Sequence, residues 1–107
     1  MIKKHKFITK LFASIDGYAE IKAQDKQLAL YLSHTARKIM KPLVEYHNGI
    51  WMHERDGRIY INFTAPENAV NYSIAIQQAL QYELKLKLRI GIHTVDFKRG
   101  NLHVTQE

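Results

Sequence analysis

The chain contains no cysteine. That excludes a disulfide framework, a thiolate nucleophile and a cysteine-ligated zinc, so any catalysis has to run on oxygen or imidazole chemistry; a cytoplasmic location is expected. Glycine and proline are scarce, five and two in 107 residues, in keeping with an ordinary globular composition, and no internal repeat, linker or low-complexity segment is present. No stretch approaches the ~20 apolar residues of a membrane span. Met1 is followed by basic residues and a short apolar run broken by Lys10 and Asp16, so no signal peptide is expected. Six histidines are present, but none stands at a metal-ligand spacing, and His93 reads as a strand residue rather than as a zinc partner of His53.

What is present is a hydrophobic fraction of 46% beside 24% charged residues, the ordinary balance of one compact domain, expected over residues 1–107. Sixteen Lys and Arg against ten Asp and Glu leave a net charge of +6. Polyanions are therefore plausible partners, although the cations are spread along the chain and their one cluster, Lys3, Lys4 and Lys6, reads as a solvated end.

Periodicity divides the chain into elements. Lys6 to Ile15 reads as a strand ending at Asp16-Gly17. Leu28, Leu32, Ala36, Ile39 and Leu43 form one helical stripe running to about His47, with Pro42 expected to remove a backbone bond and bend the last turn. Ile50 to Phe63 carries β-branched and aromatic residues on both sides of Asp56-Gly57, the preferred pair for a two-residue hairpin turn. Thr64 is expected to cap a helix begun by Pro66 and Glu67, with Ala69, Tyr72, Ile76, Ala79 and Leu80 as its buried stripe and an end near Tyr82. Leu86, Leu88, Ile90 and Ile92 alternate with Lys87, Arg89, Gly91 and His93, the period of a strand with two different faces. A last short strand, Leu102 to Thr105, follows an Arg99-Gly100-Asn101 turn. The order predicts an α+β fold, a ferredoxin-like βαββαβ core with an antiparallel sheet, helices on one face and an extra C-terminal strand.

The hairpin also predicts a register. A two-residue turn pairs Arg55 with Arg58, His53 with Tyr60, Met52 with Ile61 and Trp51 with Asn62. With Ile59, Ile61 and Phe63 facing the helices, Met52 belongs to the core and Trp51, His53 and Tyr60 to the open face. Phe12 joins that face with Lys87, Arg89 and His93 from the fourth strand, and an exposed aromatic face is expected to have a partner. RNA-binding sheets of this topology display aromatics in the same way. Their Lys/Arg-Gly-Phe/Tyr strand motif is absent, so a nucleic-acid partner is not expected.

Four stretches in order resemble the catalytic domain of class III nucleotidyl cyclases. They are Phe12-Ala-Ser-Ile-Asp-Gly-Tyr18; Lys41-Pro-Leu-Val-Glu-Tyr-His-Asn-Gly49; Asp56-Gly57 with Phe63, then Glu67-Asn-Ala-Val70 to Ile74-Ala-Ile-Gln77; and Leu88-Arg-Ile-Gly-Ile-His-Thr94. The resemblance implies a ferredoxin-like core and an active site formed between two subunits. It also implies two Asp that hold two divalent ions to activate a ribose hydroxyl and neutralise a triphosphate. Ser14 stands at the first Asp position, and Asp56 matches the second, with Arg55 in place of the preceding Gly. The Lys that reads the purine in adenylyl members is matched by Met52. The family's transition-state Asn and Arg lie on a helix beyond the terminal strands, for which this sequence has no counterpart.

The expectation is therefore a catalytically degenerate cyclase-homology domain, a dimerising or nucleotide-sensing signalling module. Asp56 reads first as a plain turn former and, by the resemblance, as a vestigial metal position; Ser14 reads as a strand end, not a nucleophile. Lys87 and Arg89 attract the phosphates of a purine nucleoside triphosphate, and Phe12, Trp51, Tyr60 and His93 form a homodimer interface. No membrane association and no cofactor are expected. The alternative is a working cyclase that makes cAMP or cGMP with Mg or Mn, alone or in a heterodimer.

Overall fold

A computed structural model describes residues 5–83, 85–98 and 104–105. The elements are β1 (His5–Ile15), α1 (Tyr18–Gln24), α2 (Lys26–Tyr46), β2 (Gly49–Arg55), β3 (Arg58–Phe63), α3 (Pro66–Leu80), β4 (Leu88–Lys98) and β5 (Val104–Thr105). The strands form one sheet in the order β2-β3-β1-β4-β5. Every pairing in it is antiparallel. This is the expected α+β, ferredoxin-like arrangement with an added terminal strand. The anticipated turn before β5 lies outside the described residues, as do Lys3 and Lys4. Among the described residues no helix is long and apolar enough to cross a membrane.

The core lies between one sheet face and the helices. Leu11, Ala13 and Ile15 of β1 and Ile59, Ile61 and Phe63 of β3 pack against Leu32, Ala36, Met40 and Val44 of α2 and Tyr72 and Ile76 of α3. The α2 stripe is rotated from expectation. Its buried members are Ala29, Leu32, Ala36, Met40 and Val44, whereas Leu28, Ile39 and Leu43 flank the core half-buried. Ala36 lies in the core cluster with Leu32, Met40 and Val44, where its small side chain lets the helix pack closely on the sheet.

Pro42 does not end α2, which continues to Tyr46. Burial of Val44 and Met40 outweighs the one hydrogen bond that proline removes. The helix stops where the His47 ring Nδ1 donates to the Leu43 carbonyl at 2.8 Å and Asn48 adopts a left-handed φ of 60°. In α3 the cap differs from expectation, because Ala65, not Thr64, is the N-cap and no side chain caps the helix. Pro66 pre-sets the first turn instead. Ala79 is exposed, and the helix ends at Leu80 rather than near Tyr82.

Two interactions tie the helices to the rest. The buried Tyr72 hydroxyl donates to the Met40 carbonyl at 3.0 Å, joining α3 to α2. Arg37 of α2 grips Glu54 of β2 through one guanidinium edge, Nε and Nη2 donating to Oε1 and Oε2 at 2.8 and 2.7 Å. Burial pushes the Tyr72 hydroxyl pKa up, so it stays a protonated donor.

Candidate functional site

The hairpin turn is as read, with positive φ at Asp56 (50°) and Gly57 (77°), the pair of left-handed residues that a type I′ turn demands. Pairing follows the expected register from Arg55↔Arg58 to His53↔Tyr60, then shifts at a bulge between Trp51 and His53, so that Trp51 faces Ile61. The extra residue is Met52. One inserted residue exchanges the faces of everything beyond it. Two expectations are thereby corrected. Trp51 lies on the helix side, half-buried against the core, with the Lys41 ammonium 5.4 Å from its ring centre. Met52 is not in the core but 53% exposed, on the open face.

That open face gathers most of the residues singled out for an interface. Phe12 stands directly opposite Tyr60 on one side and Gly91 on the other. Its ring lies over Gly91 so closely that a Cβ there would fall 2.3 Å from Phe12 Cζ. Phe12, Met52, Tyr60 and His93 line one shallow groove of about 380 Å³. His53 adds its ring 5.5 Å from that of Tyr60.

A larger cleft, about 730 Å³, opens where β1 ends, and Ser14, Tyr18, Lys22, Lys26, Asp56 and Arg58 are among its walls. Backbone bonds build it: Ile15 N–H donates to the Gly57 carbonyl at 2.9 Å and Asp16 N–H to the Lys87 carbonyl at 2.8 Å. The chain then turns at Gly17, φ 72°, into α1. The Tyr18 ring lies on Gly57, where a Cβ would meet Tyr18 Cγ at 2.6 Å. Lys22, one helical turn after Tyr18, reaches Asp56 with Nζ 3.1 Å from Oδ1.

Ser14 and Asp56, the two positions matched to metal-holding carboxylates, thus share one cleft. Their surroundings are cationic. Ser14 stands between Arg58 on β3 and Arg89 on β4 in the sheet register. Asp56 is held below the usual carboxylate range by its hydrogen bond from Lys22, then by the Lys22 charge, with Arg55 and Arg58 adding to it. Lys22 is raised by the same bond to Asp56. The depressed carboxyl makes the pair's contribution complete above about pH 4 and lost as pH falls through the lowered value. The raised ammonium keeps it complete below about pH 10, to be lost as pH rises further, so the pair persists across neutrality.

A two-metal site does not fit these residues. One neutral hydroxyl and one carboxylate already bound by an ammonium offer no second anionic ligand, and among the described residues no group of three or more His, Asp or Glu side chains could hold a metal. Arg89 does not line the cleft; its Nε pairs with Asp16 Oδ1 at 3.1 Å. Lys87 precedes β4 rather than lying on it. Sequence reasoning missed α1 with its Lys22, and Lys26 at the start of α2. The available signal was Asp25, whose side chain accepts from Leu28 N–H at 3.0 Å as the N-cap of α2, and the four-residue step from Tyr18 to Lys22 within α1.

No protein-family profile matches the chain, and no curated protein matches it in sequence. Solved structures do. The adenylate/guanylate cyclase/hydrolase from Silicibacter pomeroyi superposes with a TM-score of 0.74 at 20% identity over 99% of this chain and 66% of that one. The adenylyl cyclase CyaB from P. aeruginosa gives 0.71 at 16% identity over 99% of this chain and 68% of that one. The guanylate cyclase domain of RhGC from Catenaria anguillulae, solved with GTP, gives 0.74 at 14% identity over 94% and 65%. The chain spans about two thirds of the length of these structures. From its strand order, its cleft at the end of β1 and these superpositions, the chain has the fold of the class III adenylyl and guanylyl cyclase catalytic domain.

Proposed function

We propose that this chain is a catalytically degenerate cyclase-homology domain that works as a dimerising or nucleotide-sensing signalling module. The observation that carries the reading is the composition of the cleft, one carboxylate already paired with Lys22 beside a serine whose neighbour on β3 is Arg58. Two-metal phosphoryl chemistry needs anionic ligands for both ions, and this cleft offers one that is occupied. The open sheet face supports the dimer: Phe12 and Tyr60 are 48% and 38% exposed, adjacent to Met52, in a patch of the kind that marks an interaction surface. A homodimer through that face buries the aromatic centre.

The deciding assay incubates purified protein with ATP or GTP and Mg or Mn and measures cyclic nucleotide. The expected result is no product above a no-enzyme control. Product that Asp56→Ala abolishes overturns the reading in favour of an active purine nucleotide cyclase.

A further inference from the structure

The cleft at the end of β1 has an unusual balance of charge for a site with a carboxylate at its rim. Lys22, Lys26 and Arg58 line it, and Asp56 is its one acidic wall residue. Asp56 is engaged by the Lys22 ammonium, so the cleft as a whole carries an excess of positive charge. Lys22 has three N–H donors. Only one is directed to Asp56, at 3.1 Å, which leaves donors for a second acceptor inside the cleft. Asp56 also holds the ammonium in place, since Lys22 and Asp56 come from elements 34 positions apart in sequence. Lys26, the first residue of α2 beyond the break at Asp25, is a further wall of the same cleft. Ser14 adds a neutral hydroxyl that can donate or accept.

We propose that Lys22 is a built-in cation serving in place of a divalent metal, and that the cleft it lines with Lys26 and Arg58 binds a chain of phosphate groups without any metal ion. The inference rests on the degenerate reading above and specifies its ligand class. The physical reasoning is one of charge accounting. A phosphate chain needs concentrated positive charge and several N–H or O–H donors. Two lysines and an arginine in one concave site supply both. A divalent ion entering the cleft would have to displace Lys22 from Asp56 and would find Arg58 opposite Ser14, so the cations that attract phosphate also repel the metal. The shared chemistry is the phosphate chain, carried by inorganic oligophosphate or by a nucleoside triphosphate.

The experiment is calorimetry on the intact chain with tripolyphosphate, ATP and GTP, each in EDTA and in Mg, at low and moderate salt. Tripolyphosphate is expected to bind in EDTA as well as in Mg. Lys22→Ala is expected to weaken that binding about tenfold in EDTA, the loss of one charge-assisted hydrogen bond. Lys38→Gln, an exposed cation outside the cleft with the same change in net charge, is expected to weaken it less than about twofold, as a screened distant charge should. ATP or GTP binding more tightly than tripolyphosphate identifies the source as a nucleotide; equal affinities identify the phosphate chain alone. The converse arm removes the lock: Ser14→Asp with Lys22→Ala should acquire binding of Mn alone, seen as quenching of the free-ion paramagnetic resonance signal, where the wild type shows none. Thermal melts of each variant establish that the fold is retained. Tripolyphosphate binding that requires Mg and disappears in EDTA overturns the proposal, as does Mn binding by the wild type or equal losses for Lys22→Ala and Lys38→Gln. These outcomes are independent of the cyclic-nucleotide assay, so failure here leaves the degenerate reading to be judged on turnover.

Discussion

Phe12→Ala tests the dimer at the point where the structure gives it most leverage. The side chain sits on the central strand of the open face and is 48% exposed. Half of the 150–250 Å² typical of an aromatic side chain leaves about 100 Å² to be covered by a partner. At about 25 cal/mol per Å², with the alanine Cβ retained, truncation removes about 2 kcal/mol of burial per copy. A two-fold interface contains the residue twice, so the dimer loses about 4 kcal/mol and its dissociation constant rises about a thousandfold. Sedimentation equilibrium over a dilution series of wild type and variant reads that ratio directly. Tyr46→Ala, an 80% exposed aromatic on α2 away from the sheet, controls for loss of a surface ring and should leave association unchanged. Thermal melts separate folding from association. A wild type that stays monomeric at about 100 μM, or a Phe12→Ala dimer within about threefold of wild type, refutes the reasoning.

Two further predictions concern packing. Gly49→Ala would set a Cβ 2.5 Å from Phe63 Cε1, and because Phe63 is 1% exposed and packed 5.4 Å from the Tyr72 ring, the ring cannot yield; destabilisation of about 1–3 kcal/mol by denaturant titration is expected. Tyr72→Phe removes the hydroxyl that donates to Met40 and should cost about 1 kcal/mol, a fall in melting temperature of roughly 4 °C or more.

The sequence by itself determined the architecture because its signals are local. The period of two in Leu88 to His93, the Asp56-Gly57 turn and the helical spacing of Ala69, Tyr72 and Ile76 each need only a few neighbouring residues, and the order of elements they give fits a ferredoxin-like sheet. It also determined the chemistry at two positions, Ser14 and Asp56, since side-chain identity needs no coordinates. What the tertiary structure alone decided lies where counting fails or where partners are distant. A single inserted residue at Met52 reverses which side chains face the helices, so Trp51 went to the core side and Met52 to the open face. No alternation pattern reveals such a bulge, because the residues on either side of it each keep their own regular period. The Lys22–Asp56 pair joins elements that come together only after the hairpin has docked beside α1. Its effect on the cleft therefore became legible only in the folded chain, where electrostatics depends on distance in space and not on separation in sequence.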